Sequence, residues 1–367
     1  MIGYFDRNYR SERGLAHLAV SGKVEHENVL TCLEDDLALE DLFIFSGWSN
    51  EPLAQRVCDH IGVPLRQTTT KRFSHGSLSV QLSESVRNKD VYIVQSFTEP
   101  VHRHMMQMLM MLDIARHGDA RRVTAVIPYF VYGRADKKDA PRICITGKLV
   151  AKLIEASGAD RLIAMALHSP QTHGFFDVPL DHLTSMRVLA DYFKRQDLTD
   201  TVVVSPDVGY AKQATKLAHS LKLPLAVGSK VRLTDRKVTI KTVLGINTPA
   251  PKRAIVIDDE IATGGTMEEI VRVMSDMGTE TFWLACTHGL FTGNAVSLLN
   301  SMDNVEKIIC TDTVYAPHAT QGIAKLQVES VASVLGDAIL CNHNGESVGA
   351  LFAFWEGDDM PSDSSLG

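Results

Sequence analysis

Apolar runs of strand length alternate with helical patterns along most of this 367-residue chain, and each run stops at a small, polar or charged residue. The runs are DLFIFSG, DVYIVQS, RVTAVIPYF, RLIAMALHS, TVVVSPD, RAIVIDD and TFWLACTHG. Helical stretches at Ile145–Ala156, Tyr210–Leu221 and Thr266–Met277 lie between them. A strand buried on both faces reads as a continuous apolar run, and strand–helix alternation predicts an α/β fold with a largely parallel sheet covered by helices. In such sheets ligands gather beyond the carboxyl ends of the strands, so the polar tips are where the chemistry is expected. With 45% hydrophobic residues, the chain carries enough apolar material for two domains, each with its own core.

Several classes are excluded at this level. No apolar run approaches a membrane span, and the opening MIGYFDRNYRSERG has no secretory apolar region. A net charge of −7 gives no broad basic surface for nucleic acid. The six cysteines are scattered without CxxC pairs or metal-like spacing, which fits mostly buried thiols in a reducing cytosol and no structural zinc. The expectation is a cytoplasmic protein with neither nucleic acid nor membrane as partner. Residues 1–40 form an acidic N-terminal extension, and the tail 356–367 has the composition of a disordered segment. The Met-rich run Met105–Met111 reads as a helix that is buried or faces another subunit, because Met fills irregular core gaps.

The chemistry concentrates in VIDDEIATGGTM, Val256 to Met267. A buried strand is expected to end in Asp258 and Asp259, and Thr263-Gly264-Gly265-Thr266 then opens an amphipathic helix. Turn amides and the helix dipole suit a phosphate, while the carboxylates suit sugar hydroxyls or a metal ion. A phosphorylated ribose satisfies both halves; an ordinary strand-to-helix turn with its acids in solvent is the alternative. GRADKKDAPR gathers Arg134, Lys137, Lys138 and Arg142 after a strand, as a polyphosphate site or as a solvated loop. His168 ends an apolar run, as a structural histidine or as a ligand. Asp207 emerges at another strand end, where Ser205 and Asp207 could equally form a helix-start cap. SKVRLTDRK sets Lys230 and Arg232 in a polar segment between elements, where a mobile basic loop could close over phosphates. No Walker A pattern is present, so any nucleotide is held by another scaffold.

Taken in order, FSGWSNEPLAQRV, KRFSHGSLSVQLSESVRNKDVYIVQS, RVTAVIPYFVYGRADKKDAPR, HSPQTHGFFDVPLDHL, VSPDVGYAK, VIDDEIATGGTM, THGLFTGNA and HNGESV make the chain resemble the ribose-phosphate pyrophosphokinases from about Leu42 to Phe354. The resemblance implies two phosphoribosyltransferase-type α/β domains, here 41–186 and 187–355, each with a mainly parallel central sheet. It implies transfer of the β,γ-diphosphate of ATP to the 1-hydroxyl of ribose 5-phosphate, with Mg²⁺ as cofactor and AMP released. By the same resemblance Asp258 and Asp259 hold the ribose hydroxyls, and the loop of Ala262, Thr263, Gly264, Gly265 and Thr266 cradles the 5-phosphate. His168 and Asp207 hold Mg²⁺ on the ATP phosphates, while Lys230 and Arg232 stabilise the moving diphosphoryl group. Phe73, from a neighbouring subunit, stacks on adenine, with His75, Ser77, Arg134, Ala135, Asp139 and His168 completing the ATP site. A homo-oligomer of dimer units, as a hexamer, is implied too, with Ser83–Arg87 and His343–Val348 in segments tied to subunit and regulatory contacts.

The departures from that pattern gather at the pocket. A third acid that commonly precedes the loop threonine is Ala262, and an acid that commonly precedes the metal-binding histidine is Ala166. His75 and Ser77 replace acidic or amide residues, and Ala135 replaces a glutamine. Three readings follow: synthesis of phosphoribosyl pyrophosphate in an altered pocket, the same transfer onto ADP-ribose for NAD synthesis, or a non-catalytic synthetase-associated partner. The retained Lys230 and Arg232 weigh against the last.

Overall fold

The computed structural model describes residues 39–352 other than 235, 236 and 247–249, and does not describe the side chains of 230–242, 350 and 352. The expected N-terminal extension and disordered tail lie outside the described residues, apart from the last two positions of the extension.

Two sheets carry the fold. The first is built from β1 (Leu42–Ser46), β2 (Leu65–Arg66), β5 (Asp90–Val94), β6 (Arg122–Ile127), β7 (Arg161–Met165) and β8 (Leu180–Leu183). Its order is β2-β1-β5-β6-β7-β8, and all its pairings are parallel. Between them β3 (Thr68–Arg72) and β4 (Leu78–Leu82) form a separate antiparallel hairpin. The second sheet comprises β9 (Thr201–Ser205), β10 (Leu225–Thr234), β11 (Lys237–Leu244), β12 (Arg253–Ile261), β13 (Thr281–Gly289), β14 (Val305–Thr311) and β15 (Leu326–Glu329). Its order is β11-β10-β9-β12-β13-β14-β15, parallel except for the β10–β11 pair. In this sheet the chain winds outward one way from β9 and the other way from β12. The crevice between those two strands is the switch point where such sheets bind ligands.

The alternation of side chains along the central strands explains why the sheet is covered on both faces. Ala254 and Val256 of β12 pack into one core with Phe282 and Leu284 of β13, whereas Ile255 and Ile257 pack into the opposite core with Trp283 and Ala285. Each fully buried Leu, Ile or Phe there contributes about 1.5–3 kcal/mol of transfer free energy. The first sheet has its own core, around Phe45, Ile93, Met108 and Leu162. Helices fall where the apolar period predicts: Thr146–Ala156, Ala211–Leu221 and Gly265–Asp276, each within one residue of expectation at both ends. The Met-rich segment lies in the helix Val101–His117, with Met108 and Met111 buried and Met106 exposed.

Two expectations need correction. β12 does not end at the acid pair but continues through Glu260 to Ile261, because Glu260 and Ile261 keep the ladder with His288 and Gly289 of β13. Lys230 and Arg232 do not lie between elements: their main chain belongs to β10, where Lys230 pairs with Ile240 and Arg232 with Val238. The β-branched residues at Val231, Val238, Thr239 and Ile240 favour that antiparallel pair. Their side chains, to which the catalytic expectation attaches, lie outside the description.

One late element returns to the first sheet. The helix Ala332–Asn344 packs against the helix Glu51–Ile61 and sets a polar network under the amino ends of β5 and β6. His343 Nδ1 lies 2.7 Å from Asp90 Oδ2, and Asp90 also pairs with the Arg122 guanidinium, which donates to the Asn342 carbonyl at 2.7 Å. Asn342 Nδ2 donates to Asp181 Oδ2 at 2.8 Å, and Arg161 closes the chain on the same carboxylate. Asp90 is 1% exposed. Paired with an arginine and a histidine, its carboxyl stays below the usual range despite burial.

Candidate active site

Three acids follow one another on β12: Asp258, Asp259 and Glu260. Successive strand residues face opposite sides, so Asp259 and Glu260 leave the strand on different faces. Each meets a cation from the half of the molecule built on the first sheet. His168 Nδ1 forms a hydrogen-bonded ion pair with Asp259 Oδ2. Arg134 brings a guanidinium nitrogen to 3.0 Å from Glu260 Oε1, while Tyr129 Oη donates to Glu260 Oε2 at 3.2 Å. Asp258 is partly buried, and its Oδ1 accepts the Asp259 N–H at 2.9 Å.

Their electrostatics separate the acids. Burial, then the neighbouring charge of Asp259, pushes the Asp258 carboxyl well above its ordinary range. Burial opposes ionisation of Asp259 too, but the hydrogen bond and charge of His168 outweigh it and hold Asp259 low. The same hydrogen bond raises His168 above the usual histidine value. Burial raises Glu260, with Arg134 opposing.

The arm that presents His168 is built at the end of β7. Ala166 has φ 44°, the left-handed region that a side chain disfavours by about 1–2 kcal/mol. It is held on both sides: its N–H donates to the Leu183 carbonyl at 2.9 Å, and its carbonyl lies 3.2 Å from His288 Nε2. A carbonyl only accepts, so Nε2 of His288 carries the proton. Leu167 N–H donates to His182 Nε2 at 2.9 Å. Burial pushes both His182 and His288 down to about 4, which keeps them neutral.

Asp207 stands just past β9. Its Oδ1 accepts the Tyr210 N–H at 3.2 Å and its carbonyl accepts from Ser205 Oγ at 2.7 Å, which closes the turn before the helix Ala211–Leu221; that helix has no side-chain cap at its start. Its charge nevertheless reaches Asp258 and helps to raise it. Asp207 and the β12 acids thus flank the switch crevice together.

Beyond β12 the loop is pinned from β13's far end. Ile261 carbonyl accepts from Leu290 and Phe291, and Ala262 carbonyl accepts from Thr292. Gly264 caps the helix Gly265–Asp276 with φ 83° and without a side-chain cap. The first-turn amides of that helix have no intrahelical acceptor, so they face a prospective anion at Thr263–Thr266. A Cβ at Gly264 would add left-handed strain and sit 3.3 Å from Leu298 Cδ2. Gly264→Ala is expected to cost about 1–2 kcal/mol of stability and to weaken ribose 5-phosphate binding, read by thermal melting and calorimetry.

The remaining candidates are placed elsewhere. Ala135 ends the short 3-10 turn Val131–Arg134, and Asp139 is exposed with Lys137 at 3.9 Å. Phe73, His75 and Ser77 share the tip of the β3–β4 hairpin. Phe73 stacks on His75 with centroids 5.5 Å apart, and Ser77 Oγ lies 2.7 Å from His75 Nε2. Phe73 remains 47% exposed, turned to solvent rather than into a core. Sequence reasoning missed Glu260, Tyr129 and His288. A third consecutive acid in an otherwise apolar strand, and a histidine at the tip of THG, were the signals available.

Two mainly parallel sheets joined over an acidic strand and a helix start without a side-chain cap define a phosphoribosyltransferase-type α/β protein. Residues 42–158 match the N-terminal domain of ribose phosphate pyrophosphokinase, and residues 233–353 match the phosphoribosyl synthetase-associated domain. The chain is 46% identical over 314 residues to a putative ribose-phosphate pyrophosphokinase of Streptomyces coelicolor, covering 86% of this chain and 98% of that one. It is 43% identical over 315 residues to the ribose-phosphate pyrophosphokinase of Deinococcus radiodurans, covering 85% and 98%. It also superposes on the crystal structure of phosphoribosylpyrophosphate synthetase from Mycobacterium smegmatis with a TM-score of 0.77 at 33% identity, covering 83% of this chain and all of that one. The chain belongs to the ribose-phosphate pyrophosphokinase family.

Proposed function

We infer that this chain, as a ribose-phosphate pyrophosphokinase, transfers the β,γ-diphosphate of ATP to the 1-hydroxyl of ribose 5-phosphate, forming phosphoribosyl pyrophosphate and AMP. The observation that carries the site assignment is the convergence on β12: Asp258 and Asp259 stand beside an open helix start, and from the other sheet's half His168 reaches Asp259 and Arg134 reaches Glu260. In this reading residues 41–186 form the nucleotide half and residues 187–355 the ribose half. Asp258 and Asp259 orient the ribose hydroxyls, the Ala262–Thr266 loop receives the 5-phosphate, and Arg134 meets the nucleotide. Lys230 and Arg232 neutralise charge spreading over the transferring group, which needs positioning and electrostatics rather than covalent help.

The donor set suits Mg²⁺. Asp207 offers hard oxygen, and His168, with Nδ1 engaged by Asp259, keeps Nε2 for a ligand. Among the described residues no three His, Cys, Asp or Glu side chains could hold an ion by themselves. Mg²⁺ is characteristically held by one or two protein groups with water and substrate phosphates, so this arrangement supports binding together with ATP. Bound there, the ion would neutralise the phosphates. The exposed Phe73–His75 stack supports an adenine site completed by a second subunit in a homo-oligomer. Among the described residues no helix is long and apolar enough to cross a membrane.

The test is AMP release from ATP and Mg²⁺ with ribose 5-phosphate or ADP-ribose as acceptor. Turnover with ribose 5-phosphate, abolished by EDTA and restored by Mg²⁺, is expected. Turnover with ADP-ribose alone would overturn the acceptor, and release with neither sugar would overturn catalysis.

A further inference from the structure

Glu260 is a carboxylate with no evident reason to be where it is. Its side chain is 5% exposed, and it follows Asp258 and Asp259 on a strand that is otherwise apolar from Ala254 to Ile257. Burying a lone carboxylate is costly, and the group is retained only where partners compensate. Both partners come from one short segment of the first sheet's half, Tyr129 to Arg134, that follows β6. Tyr129 fixes Oε2, which turns Oε1 toward the guanidinium. Tyr129 is itself fixed, 4% exposed, with its ring 4.8 Å from that of His288.

Arg134 is in the reverse situation. Its side chain is 53% exposed, so burial does not hold it in one rotamer, and a long free arginine must lose considerable conformational freedom to meet a ligand. Guanidinium carries five N–H donors in a rigid fork. One nitrogen lies 3.0 Å from the buried Glu260 Oε1, which fixes one prong of a fork whose side chain is half exposed. A buried anion that orients an exposed cation is a preorganising device: the ordering is done before the nucleotide arrives.

We propose that Glu260 is a positioning residue that aims Arg134 at the nucleotide and ties the nucleotide segment to the ribose strand. The proposal rests on the reading of Arg134 as a nucleotide-site residue.

The experiment is a double-mutant cycle on ATP–Mg²⁺ binding by calorimetry, with Glu260→Ala, Arg134→Ala, both together, and Glu260→Gln. Glu260→Ala is expected to weaken ATP about tenfold, and Gln, which keeps an acceptor for Arg134, to recover part of the loss. The double variant should bind no more weakly than Arg134→Ala alone. Ribose 5-phosphate affinity, measured in parallel, should stay within about twofold of the parent, which general unfolding would not permit. If Glu260→Ala fails to fold, Glu260→Gln and its cycle with Arg134→Ala carry the test. Full additivity, or unchanged ATP affinity in the Glu260 variants, overturns the proposal. Loss of affinity in Arg134→Ala without loss in the Glu260 variants sinks the proposal alone; an unchanged Arg134→Ala sinks the underlying reading as well.

Discussion

Asp258→Asn is expected to give a protein that melts higher than the parent at neutral pH and makes almost no AMP. Asp258 sits beside Asp259 with Asp207 nearby, and its folded pKa lies above its unfolded value. A carboxyl shifted upward holds its proton more tightly when folded, so ionising it at neutral pH costs stability. That cost sets in as pH rises above the unfolded value and grows until the folded value is passed. Asparagine removes the charge but keeps an oxygen for the Asp259 N–H, which Asp258 Oδ1 now accepts. The gain should be about 1 kcal/mol, as is common when a functional charge is replaced. It should vanish below about pH 4, where both side chains are neutral. Activity should fall at least about a hundredfold if Asp258 orients the ribose as proposed, because a carboxylate that can ionise against the bound substrate is replaced by an amide. Melting curves across pH with parallel AMP assays check both halves. An Asp258→Asn variant no more stable than the parent at neutral pH would refute the electrostatic account.

His168→Ala should be the second large effect, with the opposite sign for stability. The raised pKa of His168 means that its contribution is full below the unfolded histidine value and is lost as pH rises through the folded one. The lowered pKa of Asp259 means that its contribution is present above the ordinary carboxylate value and is lost as pH falls through the folded one. The pair is therefore strongest from just above the ordinary aspartate range to near the ordinary histidine value. Within that window His168→Ala should cost about 1–2 kcal/mol, discounted because the imidazole is 44% exposed. The parent should lose stability more steeply than the variant as pH rises above the ordinary histidine value of about 6.5. Transfer should drop at least about a hundredfold, since Asp259 loses its orienting partner and, on the proposed reading, the ion on the phosphates loses a ligand. Equal pH slopes in the two proteins would show that the pair does not form in solution.

How much of this was legible in the sequence follows from what each residue answers to. Ala254 to Ile257 declared a buried strand because burial on both faces needs an uninterrupted apolar run, and the helix after Gly264 declared itself by its period. Asp258 and Asp259 could be named because two adjacent acids at a strand end have few structural uses. The partner of each acid could not be named. His168 is 91 residues from Asp259 in the chain, and Tyr129 is 131 from Glu260. Such pairings depend on how two sheets face one another, which no local pattern encodes. The continuation of β12 through Glu260 was missed for a related reason: charge usually marks a strand's end, and only its pairing with β13 shows that this one continues.

The network under β5 and β6 has a consequence for how the molecule is made. Asp90 belongs to the first sheet, yet its histidine partner at position 343 is translated more than two hundred residues later, 253 positions along the chain. On a ribosome that emits the amino-terminal half first, the floor of that sheet waits, with Arg122 and Tyr92 against Asp90 but no histidine, until the helix Ala332–Asn344 emerges. The first sheet is thus completed last, after every strand of the second has been synthesised. A premature stop between Leu183 and that helix would leave its charge network open, even though every strand of that sheet had already been synthesised.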